Sequence, residues 1–318
     1  MGTDEGFAEA LRAGDIEAVR SFPKTDLHAH GYISARIESL ERRLGHALLR
    51  PPRRMNGLGE FQEYLRVAID PYVGTIEGAE LAAQVAVADA IDDGVSVFEM
   101  SFDIWPAPLY PDGLDGHVRF IRSLVEQCQD RIRLRPELGI SRRYASNAAL
   151  MGHAAEAVAS AFFTSIDLYS TEDACAPEDV QPLYAQARAQ GMMLKAHVGE
   201  FGSAEDVRRT VEVLDLDEVQ HGIAAADSPD VMRWLAERGV RLNVCPTSNV
   251  MLGVVGDLAG HPIRRLHDHG VAVTVNSDDL TVFGQSVSDE YLNLIRAGVF
   301  TAGELDGIRV AALASRSS

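Results

Sequence analysis

Lys24-Thr25-Asp26-Leu27-His28-Ala29-His30 is the stretch on which the fold turns. Taken as a strand it alternates with period two, so His28 and His30 point to the same side and their imidazoles converge. Seven further short β-rich runs follow it, at 95–100, 132–138, 161–168, 192–197, Glu218–His221, 240–244 and 271–276. Between them lie longer segments of helical periodicity, among them 206–214 and Pro229–Arg238. Strands and helices that alternate in this way predict repeated βα units and a parallel sheet. Eight units in 318 residues match an α/β (β/α)8 TIM-type barrel in both size and count. A doubly wound sheet is the alternative.

The regular spacing breaks once, between the first two strands, where residues 35–73 carry several helical stretches around Arg50-Pro51-Pro52-Arg53. This is too long for a βα loop. As a helical insertion above the C-terminal ends of the strands, it would shape or cover a pocket there. No solenoid-period repeat, low-complexity tract or Gly/Ser linker divides the chain, so residues 1–318 are expected to form one domain.

Composition narrows the function classes. Hydrophobic residues make up 46% and charged residues 24%, values of a folded globular chain. Lys and Arg total 29 against 47 Asp and Glu, and a net charge of −18 repels phosphate backbones and anionic lipid. Nucleic acid and membranes are therefore not expected as partners, and the number of subunits is not readable. Cys128, Cys175 and Cys245 are far apart and odd in number, which fits a reducing compartment. The opening residues Met1 to Gly6 hold no basic cluster or apolar run of a secretory leader, so a cytoplasmic location is expected. Arg50, Arg53 and Arg54 are expected to form a solvated basic loop.

An HxH pair alone says little, since ten His in 318 residues give ~0.3 such pairs by chance. The chain holds a second one, His267-Asp268-His269, which closes a helical stretch before Gly270 and is expected to be structural. His46, His117, His153 and His261 fall on predicted helices or loops and are expected at the surface or at caps. What lifts His28 and His30 above chance is that other strand ends carry matching groups: His197 with Glu200, His221, and Asn276-Ser277-Asp278-Asp279. All would face the same rim of a barrel. Three imidazoles and a carboxylate suit a divalent metal, with further acids at hand for proton transfer.

The sequence resembles the adenosine deaminases of the metal-dependent amidohydrolase superfamily. The likeness rests on Lys24 to His30, Ala196-His197-Val198-Gly199-Glu200, Gln220-His221-Gly222, Cys245-Pro246-Thr247-Ser248-Asn249 and Asn276 to Asp279, in family order along nearly the whole chain. It implies a (β/α)8 barrel and one zinc ion per chain held by His28, His30, His197 and Asp278. It further implies that Glu200, as general acid, protonates N1 of a 6-aminopurine while water adds at C6. His221 would position that water, and Asp279 would relay its proton and touch the substrate. Ammonia leaves and a 6-oxopurine remains.

Two departures from the family bear on the substrate. The Leu-Asp-Gly segment that usually follows the second histidine, whose acid contacts the ribose 5'-hydroxyl, is replaced by Gly31-Tyr32-Ile33-Ser34. Tyr32 cannot accept two hydrogen bonds as a carboxylate does. The family's Gly-Asp-Glu turn after the fourth strand reads Ser170-Thr171-Glu172, so Ser170 stands where a glycine amide contacts purine N3. Ser170, Tyr32 and Gly199 are expected to contact the substrate.

The leading expectation is a zinc-dependent deaminase of adenosine or a sugar-modified adenosine, whose partner is a small purine. A deaminase of free adenine or of an N6-substituted adenine is the alternative. A member that binds metal without catalysis is opposed by the complete set of acids and ligands. A two-metal hydrolase would need a bridging lysine, and Lys195, two residues before His197, is poorly placed for that role. AMP is disfavoured for want of a phosphate cradle. Cys245 is expected to be a packed thiol.

Overall fold

A computed structural model describes residues 5–315, so most of the opening segment from which the location was inferred lies outside it. Eight parallel strands follow one another in chain order: β1 Lys24–His30, β2 Val95–Asp103, β3 Arg133–Ser141, β4 Ser165–Tyr169, β5 Met193–Val198, β6 Glu218–His221, β7 Arg241–Val244 and β8 Ala272–Val275. The Asp278 N–H donates to the His28 carbonyl at 3.0 Å, and the Leu27 N–H donates to Asn276 Oδ1 at 2.9 Å. These bonds draw the last strand against the first, giving the (β/α)8 barrel that the strand count predicts.

Strand boundaries differ from expectation in two instructive places. The run at 161–168 starts four residues late, because Ala161 takes a left-handed φ of 51° to leave the preceding helix, Ala148–Ala159. In contrast, β2 runs three residues beyond its apolar core, to Asp103. This extension carries Ser101 and Asp103, inward-facing by alternation, up to the rim.

Between β1 and the barrel helix Ile76–Asp92, the insertion forms helices Ile37–Leu44, Gly57–Ala68 and Asp70–Val73. The middle helix buries Phe61 and Tyr64: Phe61 stacks on Phe283 with ring centroids 5.8 Å apart, and the Tyr64 hydroxyl donates to the Leu49 carbonyl. Its start is tied to the segment after β7 by the Met55 and Gly57 N–H groups, which donate to the Met251 and Leu252 carbonyls. Arg50 pairs with Glu38 and Glu41, and Arg54 donates to the Val255 and Gly256 carbonyls.

Below the rim the barrel interior is polar. Lys195 Nζ lies 2.5 Å from Glu99 and 2.7 Å from Glu137, fully buried, so its charge is neutralised in the floor and held away from the rim. Among the described residues, no helix is long and apolar enough to cross a membrane.

Candidate active site

His28 and His30 leave β1 on the same inward face, as period-two alternation dictates, and β5, β6 and β8 bring up the rest. The His28 ring lies 5.4 Å from that of His30, 4.6 Å from that of His197 and 4.7 Å from that of His221, centroid to centroid. Asp278 Oδ1 faces His28 Nε2 at 3.3 Å and His30 Nε2 at 3.7 Å. Burial pushes the Asp278 carboxyl up, but His28, His221 and His30 outweigh it and hold the group well below the carboxylate range. It is an anion ringed by imidazoles.

Whether these residues fit a metal is answered by His28. Its side chain is buried, yet neither Nδ1 nor Nε2 has a hydrogen-bond partner, an expensive state for a polar ring. The donor atoms of His28, His30 and Asp278 lie within 4.8 Å of one another, as do those of His28, His197 and His221. A divalent cation of nitrogen and oxygen preference satisfies the orphaned atoms, so the residues fit one.

A ring of supporting contacts surrounds the cluster. His197 Nδ1 is held by Asp167 Oδ1 at 3.1 Å, the carboxylate–imidazole pair that orients a ligating histidine. Glu200 sits on a loop whose amides converge on one carboxylate: Glu172 accepts from the N–H groups of Gly199, Glu200, Phe201 and Gly202 at 2.8, 3.0, 2.8 and 3.4 Å. Gly199 has a φ of 71°, and a Cβ there would come within 2.2 Å of Val207 Cγ2. Burial, with the charges of Asp278 and Glu172, pushes the Glu200 carboxyl well above its usual range, which favours its protonated form. Asp279 makes no cap bond to the helix it precedes, and its Oδ1 is buried without a partner. Burial also lowers the His221 pKa, favouring neutral imidazole.

Three residues of this region hold φ values that L-residues avoid: Ser170 at 81°, His221 at 61° and Asp278 at 60°. Each costs ~1–2 kcal/mol and is held by the surrounding packing.

Above the cluster lies a cavity of about 440 Å³. Glu200, His221, Asp278 and Asp279 form part of its floor, and Leu58, Phe61 and Leu65 of the insertion form an apolar wall. Tyr32 and Ser170 line it. Gly199 does not: it lies outside the cavity wall, and its N–H is taken by Glu172. The Tyr32 hydroxyl is engaged by His117 Nε2 at 3.0 Å. His117 is thus buried behind Tyr32 rather than at the surface, because its helix, Leu114–Cys128, turns that face inward. His261 is likewise buried, hydrogen-bonded to Asn249. Cys245 is fully buried and its thiol is pushed well up by burial, which makes it a packed thiol.

Sequence reasoning missed Asp167, Glu172 and Asn249 as site residues. Asp167 and Glu172 flank the turn after β4, and Asn249 closes the Cys245 to Asn249 motif, so each lay inside a stretch already singled out.

This rim site on a (β/α)8 barrel, with imidazoles and an aspartate around one point, has the architecture of the amidohydrolase barrels. The chain belongs to the adenosine deaminase family, whose model matches residues 49–317. It is 38% identical to a putative adenosine/adenine deaminase of Treponema pallidum over 286 residues, 90% of this chain and 95% of that one. A part-length match to the adenine deaminase of Chlorobium luteolum is 39% identical over 130 residues, 41% of this chain and 38% of that one. Among solved structures, the adenine deaminase from Arthrobacter aurescens superposes with a TM-score of 0.81 at 25% identity, covering 93% of this chain and 94% of that one.

Proposed function

We propose that this chain, acting as a single domain capped by residues 35–73, hydrolytically removes the 6-amino group of an adenine ring, with the free base or an N6-substituted adenine preferred over the ribonucleoside. The observation that carries the chemistry is the buried Glu200, its carboxyl held by Asn249 beside an imidazole–aspartate cluster at the floor of the cavity. The preference for the base, over the nucleoside that the motifs first favoured, has two supports. Tyr32 replaces the ribose-binding acid and its hydroxyl is spent on His117, and the relatives named above are adenine or adenosine/adenine deaminases.

In this reading His28, His30, His197 and Asp278 hold one zinc ion. Such an ion lowers the pKa of a water to ~7 and so supplies a nucleophile at neutral pH. Glu200 donates its proton to N1, which withdraws electron density from C6 as oxygen adds there. His221 orients the attacking water and stabilises charge on the new oxygen. Asp279 accepts the proton the water gives up and passes it to the amine. The C6–O bond forms, the C6–N bond breaks, the proton left on the new oxygen returns to Glu200, and adenine and water become hypoxanthine and ammonia.

The test is ammonia release by the zinc-loaded protein from adenine, N6-methyladenine, adenosine and AMP, with methylamine measured for the N6-methyl compound. The expected order in kcat/KM places a base first and AMP last. A higher kcat/KM for adenosine than for either base would return the nucleoside to first place, and no turnover of any of the four would sink the proposal.

A further inference from the structure

We infer that His261 and Asn249 form a positioning relay that fixes which nitrogen of His221 carries the proton and which way Glu200 faces. The relay starts from a donor whose identity is not in doubt, the backbone N–H of Ile263, which donates to His261 Nδ1 at 3.1 Å. His261 is buried, and burial lowers its pKa to about 3, so its ring is neutral. A neutral imidazole that accepts at Nδ1 carries its proton on Nε2. Nε2 therefore donates to Asn249 Oδ1, 3.3 Å away.

That bond settles the amide. With Oδ1 turned to His261, Asn249 presents Nδ2 to the other side, where it meets Glu200 Oε1 and His221 Nδ1, both at 3.2 Å. Because Nδ2 is only a donor, His221 Nδ1 must be an acceptor and the His221 proton sits on Nε2. His221 Nε2 lies 3.6 Å from Glu200 Oε2 and 3.7 Å from Asp278 Oδ2, so it is the edge that faces the reacting centre. The same Nδ2 holds one oxygen of Glu200, leaving the other toward the cavity. A backbone amide outside the site thus decides, through two side chains, that His221 offers an N–H to the oxygen arriving at C6.

This inference rests on the proposed deamination for its kinetic consequence, but the proton position is measurable without turnover. The discriminating variant is Asn249→Asp, nearly isosteric. An aspartate still accepts from His261, but it turns an oxygen toward His221 Nδ1 and Glu200, which demands a proton on Nδ1. In zinc-loaded protein labelled with 15N-histidine, the His221 ring is expected to be the Nε2–H form in the wild type and the Nδ1–H form in Asn249→Asp. The kcat is expected to fall ~10³-fold or more, as wrong-tautomer variants do in hydrolase triads, with KM within about threefold. His261→Phe removes the donor and keeps the volume, so kcat is expected to fall ~10-fold with mixed tautomer signals. A purely structural role for His261 would lower the melting temperature and leave the His221 signal as it is. An Nδ1–H form of His221 in the wild type, or an unchanged tautomer in Asn249→Asp, overturns the relay whatever the substrate proves to be. Absence of deamination in the wild type with the expected tautomers overturns only the functional proposal.

Discussion

The carboxylate of Glu172 accepts the backbone N–H of Glu200 at 3.0 Å, and with it the N–H groups on either side. One side chain in the turn after β4 thereby sets the backbone that aims the proposed proton donor. Hydrogen bonds to an ionised acceptor are worth ~1.5–3 kcal/mol each. Glu172→Ala is expected to lower kcat by ~10- to 100-fold with little change in KM, and to speed amide exchange at residues 199–202. Steady-state kinetics beside hydrogen-exchange mass spectrometry reads both, and unaltered exchange would show that the cradle is not what holds the loop.

Glu200→Gln and His197→Ala should fail in different ways. The first keeps a hydrogen bond from Asn249 but has no proton to give, so turnover is expected to drop ~10²- to 10⁴-fold with the metal content unchanged. The second removes one of the imidazoles proposed to hold the metal, the one oriented by Asp167, so the metal itself is expected to be lost on dialysis. Metal analysis of the two purified proteins separates the roles.

Tyr32 is the residue on which base and nucleoside divide. Tyr32→Asp returns a carboxylate to the position from which the family contacts the ribose, and it frees His117. The kcat/KM ratio of adenosine to adenine is expected to rise by ~10-fold or more, the worth of about one charge-assisted hydrogen bond. A ratio that stays level would remove Tyr32 from the list of specificity determinants.

Glu290 gives the fold a pH dependence of its own. It lies beneath the Cys245 to Asn249 segment, accepting the Thr247 N–H at 3.0 Å, and burial pushes its carboxyl up to about 8. Between the unfolded value near 4.5 and about 8, the unfolded chain has lost this proton while the native one keeps it. Stability from this group therefore falls as pH rises through that window, by roughly 2–4 kcal/mol. Urea unfolding at pH 5 and pH 8 should show a shallower decline in Glu290→Gln than in the wild type.

Much of this was legible in the sequence, for a physical reason. A barrel strand puts chemistry at its C-terminal end, so His28, His30, His197, His221 and Asp278 announce themselves by where they stand relative to short apolar runs. The insertion was visible because 35–73 overran any βα loop. What stayed hidden acts across strands. Asp167 matters because β4 lies beside β5, and His261 because its loop folds back over Asn249, relations that carry no spacing signal. His117 was misplaced because a histidine on an amphipathic helix reads the same whether its face meets solvent or a tyrosine.

The left-handed backbone at Ser170, His221 and Asp278 has a consequence for anyone who breeds this protein for heat resistance. Relief of such conformations is a ready source of stability, and a screen that rewards survival alone will drift toward glycine at these positions. At Ser170 the exchange restores the residue typical of the family and removes a hydroxyl from the pocket. At His221 and Asp278 the same exchange deletes a side chain of the proposed site. Thermal tolerance and turnover are therefore set against each other at two backbone positions, and selection has to apply both pressures at once.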